Sequence, residues 1–137
     1  MICPLRPDRV RKISGTFAFI EHRFMQDGFW SDLDCHGLLL YLFLVVVADR
    51  HGLSYYSFDK ICTLLRLTLD DYILARNSLI DKDLIAFDGR LFQVLSLPSE
   101  PKRTEVELLS RRDQMEREDP ATIHQLIERS FKRHGAV

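Results

Sequence analysis

Residues 38–52 read LLLYLFLVVVADRHG, and this stretch decides the fold class. The eleven residues 38–48 are apolar, so a helix built from them has no polar face to turn toward water. A run of that length falls well short of the roughly 20 apolar residues that cross a bilayer. The stretch therefore predicts a buried central helix, with Gly52 at its C′ position, and predicts no membrane contact.

Polar residues mark the starts of helices around this stretch. Ser31 and Asp34 are both N-cap residue types ahead of the apolar run, and Ser57 precedes residues whose apolar spacing of three and four is helical. Thr68 followed by Asp71 forms a Thr-x-x-Asp cap, which predicts a further helix to about residue 82. The sequence thus predicts three helices between residues 34 and 82.

The β signals fall between and after these helices. Residues 53–56 predict a short extended segment after the central helix. Asp88-Gly89-Arg90 lies between two β-prone runs, 84–87 and 91–97, and an Asp-Gly turn in that setting predicts a hairpin. The fold class expected is mainly α, with a small β-hairpin.

Both ends of the chain have a different composition from the middle. Residues 1–13 contain two prolines and four basic side chains and predict a basic arm. The domain is expected to span residues 14–97 and to open with a helix through Phe17, Ile20 and Phe24 that stops at Asp27-Gly28. Residues 98–137 are expected to form a linker and a helical extension.

The extension contains a predicted amphipathic helix. A charged, weakly amphipathic helix is expected over residues 102–118, and Asp119-Pro120 then fits the N-cap and N1 positions of a new helix. That helix has a narrow apolar stripe made of Ile123, Leu126, Ile127 and Phe131. The stripe is expected either to fold back on the first segment of the domain or to pair with a second chain.

Composition excludes several classes of function. The 137 residues fit one domain, and 19 basic against 20 acidic residues give no overall positive charge for nucleic acid. The three cysteines are far apart, which favours packing roles in a reducing cytoplasm, and the spacing of the five histidines predicts no zinc site. No phosphate loop, nucleophile elbow or His-Glu-x-x-His motif is present, so we expect no enzyme and no cofactor.

Residues 33–97 resemble the winged helix-turn-helix modules of bacterial transcription regulators and of plasmid or phage replication initiators. The resemblance rests on the central helix with its Asp-Arg-His-Gly end, on Leu64-Leu65-Arg66-Leu67-Thr68, and on Lys82-Asp83-Leu84-Ile85. It implies that residues 69–82 form a recognition helix and that Asp88, Gly89 and Arg90 form the tip of a wing. Residues fitted to contact DNA would then be Asn77, Ser78, Lys82, Arg90, Arg66 and Lys60.

The charge of the recognition helix departs from a typical DNA reader. At about 100° per residue, Leu69, Tyr72, Ala75 and Leu79 face inward, and the outward face carries Asp70, Leu74, Asn77, Ser78 and Asp81. An outward face with two acidic residues repels the DNA backbone, although such residues also favour the start of a helix. Asn77 is the only side chain on that face suited to hydrogen-bond with adenine.

Two hypotheses of function follow. The first is a small protein that binds duplex DNA and dimerises through its C-terminal helix. The second is a protein-interaction module whose acidic third helix docks on a partner protein. Tyr55 and Tyr56 are residue types that stack on bases. A single pair of tyrosines beside a turn, however, more typically packs in the hydrophobic core and at its edge.

Overall fold

The structure, a computed structural model, describes residues 2–101 and 120–134, with side chains up to residue 129 in the second range. Within these ranges the protein is mainly helical and has one small antiparallel sheet. The elements in chain order are α1 (Arg23–Gln26), α2 (Cys35–Val47), β1 (Leu53–Ser54), α3 (Phe58–Leu65), α4 (Leu69–Asp81), β2 (Ile85–Phe87), β3 (Phe92–Val94) and α5 (Pro120–His134). The helix predicted for residues 102–118 and the cap at Asp119 lie outside the described residues.

Helix α2 is the central helix that the apolar run predicts. The Asp34 carboxylate caps it by accepting the backbone N–H of Gly37 at 2.8 Å, as its residue type indicates. Its inward residues, Leu40 and Leu44 among them, are buried, and the helix packs mainly against α4. The expectation of burial on all sides is wrong, because Leu39 and Val46, seven positions apart on one face, are exposed.

Helices α3 and α4 meet at a tight turn. Arg66 ends α3 in the left-handed region with a φ of 58°, and the Thr68 hydroxyl accepts the backbone N–H of Asp71 at 3.1 Å to cap α4. The cap predicted from Thr-x-x-Asp is therefore confirmed. Ser57 does occupy the N-cap position of α3, but its side chain makes no capping hydrogen bond.

The sheet has the strand order β1-β3-β2. Strand β3 pairs antiparallel with both neighbours, with Leu53 opposite Gln93 and Ile85 opposite Val94. In the predicted hairpin turn, the Asp88 carboxylate accepts the backbone N–H groups of Arg90 and Leu91 at 2.9 and 2.7 Å. These two bonds lower the pKa of Asp88, so the carboxylate stays ionised and holds the turn closed.

Gly52 has a different role from the predicted helix end. Helix α2 stops at Val47, and Gly52 lies in the following turn, where Asp49 accepts backbone N–H groups and the Gly52 carbonyl accepts the N–H of Val94 at 2.8 Å. Its φ is +84°, and an added Cβ would lie 2.5 Å from the Val94 carbonyl oxygen. Glycine is required here both for the left-handed backbone and for the close approach of β3.

Gly52→Ala is expected to lower the free energy of unfolding by about 1–3 kcal/mol, because it combines a strained φ with a backbone collision. Chemical denaturation followed by circular dichroism measures the change. Gly15→Ala is the matched control, since Gly15 has a φ of +66° but its Cβ would meet nothing within 4 Å. Equal stability of the two variants would show that the approach of β3 to Gly52 is not tight.

The segment before α2 differs most from expectation. The helix predicted through Phe17 and Ile20 is wrong, because residues 2–22 are all exposed and contain only a 3-10 turn at Pro7–Arg9. The part of that helix that forms is α1, whose Phe24 stacks on Tyr41 of α2 with ring centroids 4.8 Å apart. The residues without a core contact, Phe17 among them, therefore form no helix despite their helical spacing.

Among the described helices, none combines the length and apolar character needed to span a membrane.

Candidate interaction surface

Helix α4 exposes two of the five residues that its periodicity places on the outward face. Tyr72, Ala75 and Leu79 are buried as predicted, and Asp70 and Leu74 are exposed. Asn77, Ser78 and Asp81 are half-buried rather than open to water. The reason is that two further residues of α4, Ile73 and Arg76, are also buried, so the covered face is wider than the apolar pattern alone indicates.

Arg76 differs most from the predicted orientation of α4, because it is a charged residue that the periodicity does not place among the inward-facing ones. Its side chain is 0% exposed. The guanidinium lies 5.6 Å from the ring centroid of Tyr72 and 5.4 Å from that of Phe87, and it donates to the Asn77 side-chain oxygen at 3.1 Å. Its position four residues after Tyr72 and three before Leu79 is the signal that identifies it as inward-facing.

Arg76 also joins α4 to α5. Its Nη2 donates to the Thr122 hydroxyl at 3.2 Å, and the Gln125 side-chain amide donates to the Asp70 carboxylate. Ala121, Thr122 and Gln125 are buried at this contact. The described part of the C-terminal helix therefore folds back on α4.

The face by which α5 packs is not the face that the sequence favours. Its apolar stripe points away from the domain, with Ile123, Leu126 and Ile127 exposed by 44%, 57% and 49%. Phe131 continues this spacing in the sequence, but its side chain lies outside the described residues. Because α5 contacts the domain through small and polar side chains, its apolar side chains remain available for another contact.

Beside the stripe, His124 Nε2 lies 3.2 Å from the Glu128 carboxylate, one turn further along α5. The His124 ring also lies against Phe58 of α3, with ring centroids 5.7 Å apart. From residue 120 to 129 the formal charges are one Glu and one Arg, so this part of α5 is neutral when His124 is neutral. A second neutral apolar surface would meet no like-charge repulsion here.

The other residues predicted to contact DNA lie on different elements and have different surroundings. Lys82 forms an ion pair with Asp32 at 3.1 Å in a largely buried setting, which makes it a structural contact. Arg66 ends α3 and is exposed, whereas Arg90 is exposed at the hairpin turn. Lys60 is exposed too, with its Nζ 5.8 Å from the ring centroid of Tyr56.

The cysteines and acidic residues do not form a metal centre in the described part of the chain. The expectation that all three cysteines pack in the core is wrong, since Cys3 and Cys35 are exposed and only Cys62 is partly buried. Burial raises the pKa of the Cys62 thiol, so it stays protonated and unreactive near neutral pH.

Comparison of the chain with protein-family models, with curated proteins and with solved structures found no match.

Proposed function

We propose that the chain is a winged-helix domain that acts as a protein-interaction module and associates with a second copy of itself through α5. The element order from α2 to β3 is helix, strand, helix, helix and hairpin, and the strand order β1-β3-β2 places the hairpin beside β1. Both features are those of a winged helix, with α4 as its third helix and residues 88–90 as the tip of its wing.

One observation carries the interaction function: α5 packs on α4 by its polar face and leaves its apolar stripe exposed. Full burial of such a side chain contributes roughly 1.5–3 kcal/mol, and because Ile123, Leu126 and Ile127 are about half exposed, about half of that remains to be gained by covering each of them. A second copy supplies the same neutral apolar stripe, and a two-fold axis lets the two stripes face each other. Sedimentation velocity of the full chain over a range of concentrations tests this association, which mass action requires to grow with concentration.

Duplex DNA as a ligand has less support from the geometry. Helix α5 packs against α4 beside its outward face, and the Asp70 carboxylate there is held by Gln125. Arg76 is buried and Lys82 is paired with Asp32, so two of the nearby positive charges are used inside the protein. The exposed residues of α4 are then acidic or apolar, which suits a protein surface better than a phosphate backbone.

A titration of labelled duplex DNA at two salt concentrations separates the two functions. We expect no sequence preference in the wild type, and no change in duplex affinity in Asn77→Ala or Ser78→Ala, because α4 does not read bases in this proposal. Circular dichroism of both variants checks that they remain folded. A sequence-dependent affinity that Asn77→Ala removes would instead favour DNA recognition by α4.

A further inference from the structure

A cavity of about 280 Å³ lies between the β1–α3 connection and the hairpin turn, near the start of α5. Its walls are mostly aromatic and come from Tyr55, Tyr56, Phe58, Tyr72 and Phe87. Tyr55 is 66% exposed, so its ring borders the opening and does not fill the core. The volume is near the lower end of ligand pockets, about 300–1,000 Å³, and fits one ring system rather than several residues of a peptide.

The charged groups at this cavity are mainly positive. Arg90 is the one charged side chain among the described residues of its wall, and Lys60 adds a second cation above the Tyr56 ring. Two acidic residues are near in sequence, Asp59 and Asp88, but neither lines the cavity, and Asp88 is engaged by two backbone N–H groups. The Ser57 hydroxyl is on the wall and makes no capping bond to α3.

We propose that this cavity binds one unstacked nucleotide, with the base among the aromatic side chains and the phosphate at Arg90. Aromatic rings accept any base by stacking, and an arginine at the rim supplies the charge that a phosphate needs. A base inside a duplex is paired and stacked on both sides, so it cannot enter this cavity without leaving the duplex. The ligand is therefore a free nucleotide or a nucleotide of a single strand.

This site is separate from the α5 surface proposed above. The stripe residues Ile123, Leu126 and Ile127 are absent from the cavity wall. Single-strand binding and self-association can thus be abolished independently, by substitutions at different residues.

The experiment measures binding of a labelled oligothymidylate to the full chain, with dTMP and the duplex form of the same oligonucleotide as competitors. We expect the single strand to bind and the duplex to compete poorly. Tyr55→Ala weakens binding about tenfold, as is typical of losing one base–aromatic stack, while Tyr55→Phe retains it. Arg90→Ala weakens binding and lowers the slope of log K against log salt by about 0.7, the value for one single-strand phosphate.

Arg50→Ala is the charge-matched control, because Arg50 is exposed and does not line the cavity. It should keep the wild-type affinity and salt slope. Competition by dTMP as strong as that of the oligonucleotide identifies a free nucleotide as the ligand, and competition by the oligonucleotide alone identifies a strand. Absence of single-strand binding, or equal losses in Arg50→Ala and Arg90→Ala, would overturn the proposal.

Discussion

Leu44→Asp is expected to prevent the chain from folding. Leu44 is 0% exposed on α2, the helix that packs most extensively against α4. Removing a buried leucine side chain alone costs about 2–5 kcal/mol, and a buried unpaired carboxyl group adds its own desolvation cost. The sum is comparable with the whole stability of a domain, about 5–15 kcal/mol. Circular dichroism and size-exclusion chromatography should show loss of helix and an expanded or aggregated chain.

Val46→Asp is the matched control on the same helix. Val46 is exposed two positions further along α2, so a carboxylate there stays in water. This variant should unfold cooperatively with a melting temperature near that of the wild type. A Leu44→Asp variant that melts as the wild type does would show that α2 is not the centre of the core.

Local signals in the sequence predict the elements from α2 to β3 because the stabilising contacts there are close in sequence. Asp34 bonds to Gly37, Thr68 to Asp71, and Asp88 to Arg90, so each cap or turn is visible within four residues. The segment before α1 is different, since the spacing of Phe17 and Ile20 fits a helix but neither side chain is buried in the core. A helical pattern without a packing partner does not make a stable helix.

The candidate surface is harder to predict because it depends on pairs that are far apart in sequence. Thr122 meets Arg76 across 46 positions, and Gln125 meets Asp70 across 55. These bonds let α5 pack by a polar face, which its apolar stripe alone does not suggest. The cavity also depends on residues that are far apart in sequence. Tyr55, Phe87 and Arg90 come together when the hairpin packs beside β1.

Ile127→Glu is expected to abolish self-association without unfolding the chain. Ile127 lies in the exposed stripe of α5, opposite the face that contacts α4, so a glutamate there is solvated in the monomer. In the dimer, two isoleucine contacts are lost and two carboxylates approach each other across the two-fold axis. Because Ile127 is already about half-buried in the monomer, each chain loses about half of the roughly 1.5–3 kcal/mol that full burial contributes. The dissociation constant should therefore rise by about tenfold or more, and the repulsion between the two carboxylates adds to this increase.

The control for this variant is Arg129→Glu, which places the same side chain at an exposed position of α5 off the stripe. Circular dichroism should show that both variants keep the helix content and melting behaviour of the wild type. A loss of fold in Ile127→Glu would show that the stripe is covered within one chain, in contradiction to its exposure.

Sedimentation velocity of the wild type, Ile127→Glu and Arg129→Glu at matched concentrations tests self-association through α5 most directly. We expect a dimer for the wild type and for Arg129→Glu and a folded monomer for Ile127→Glu. A wild-type chain that stays monomeric at all concentrations, or a dimer that Ile127→Glu leaves intact, would contradict it.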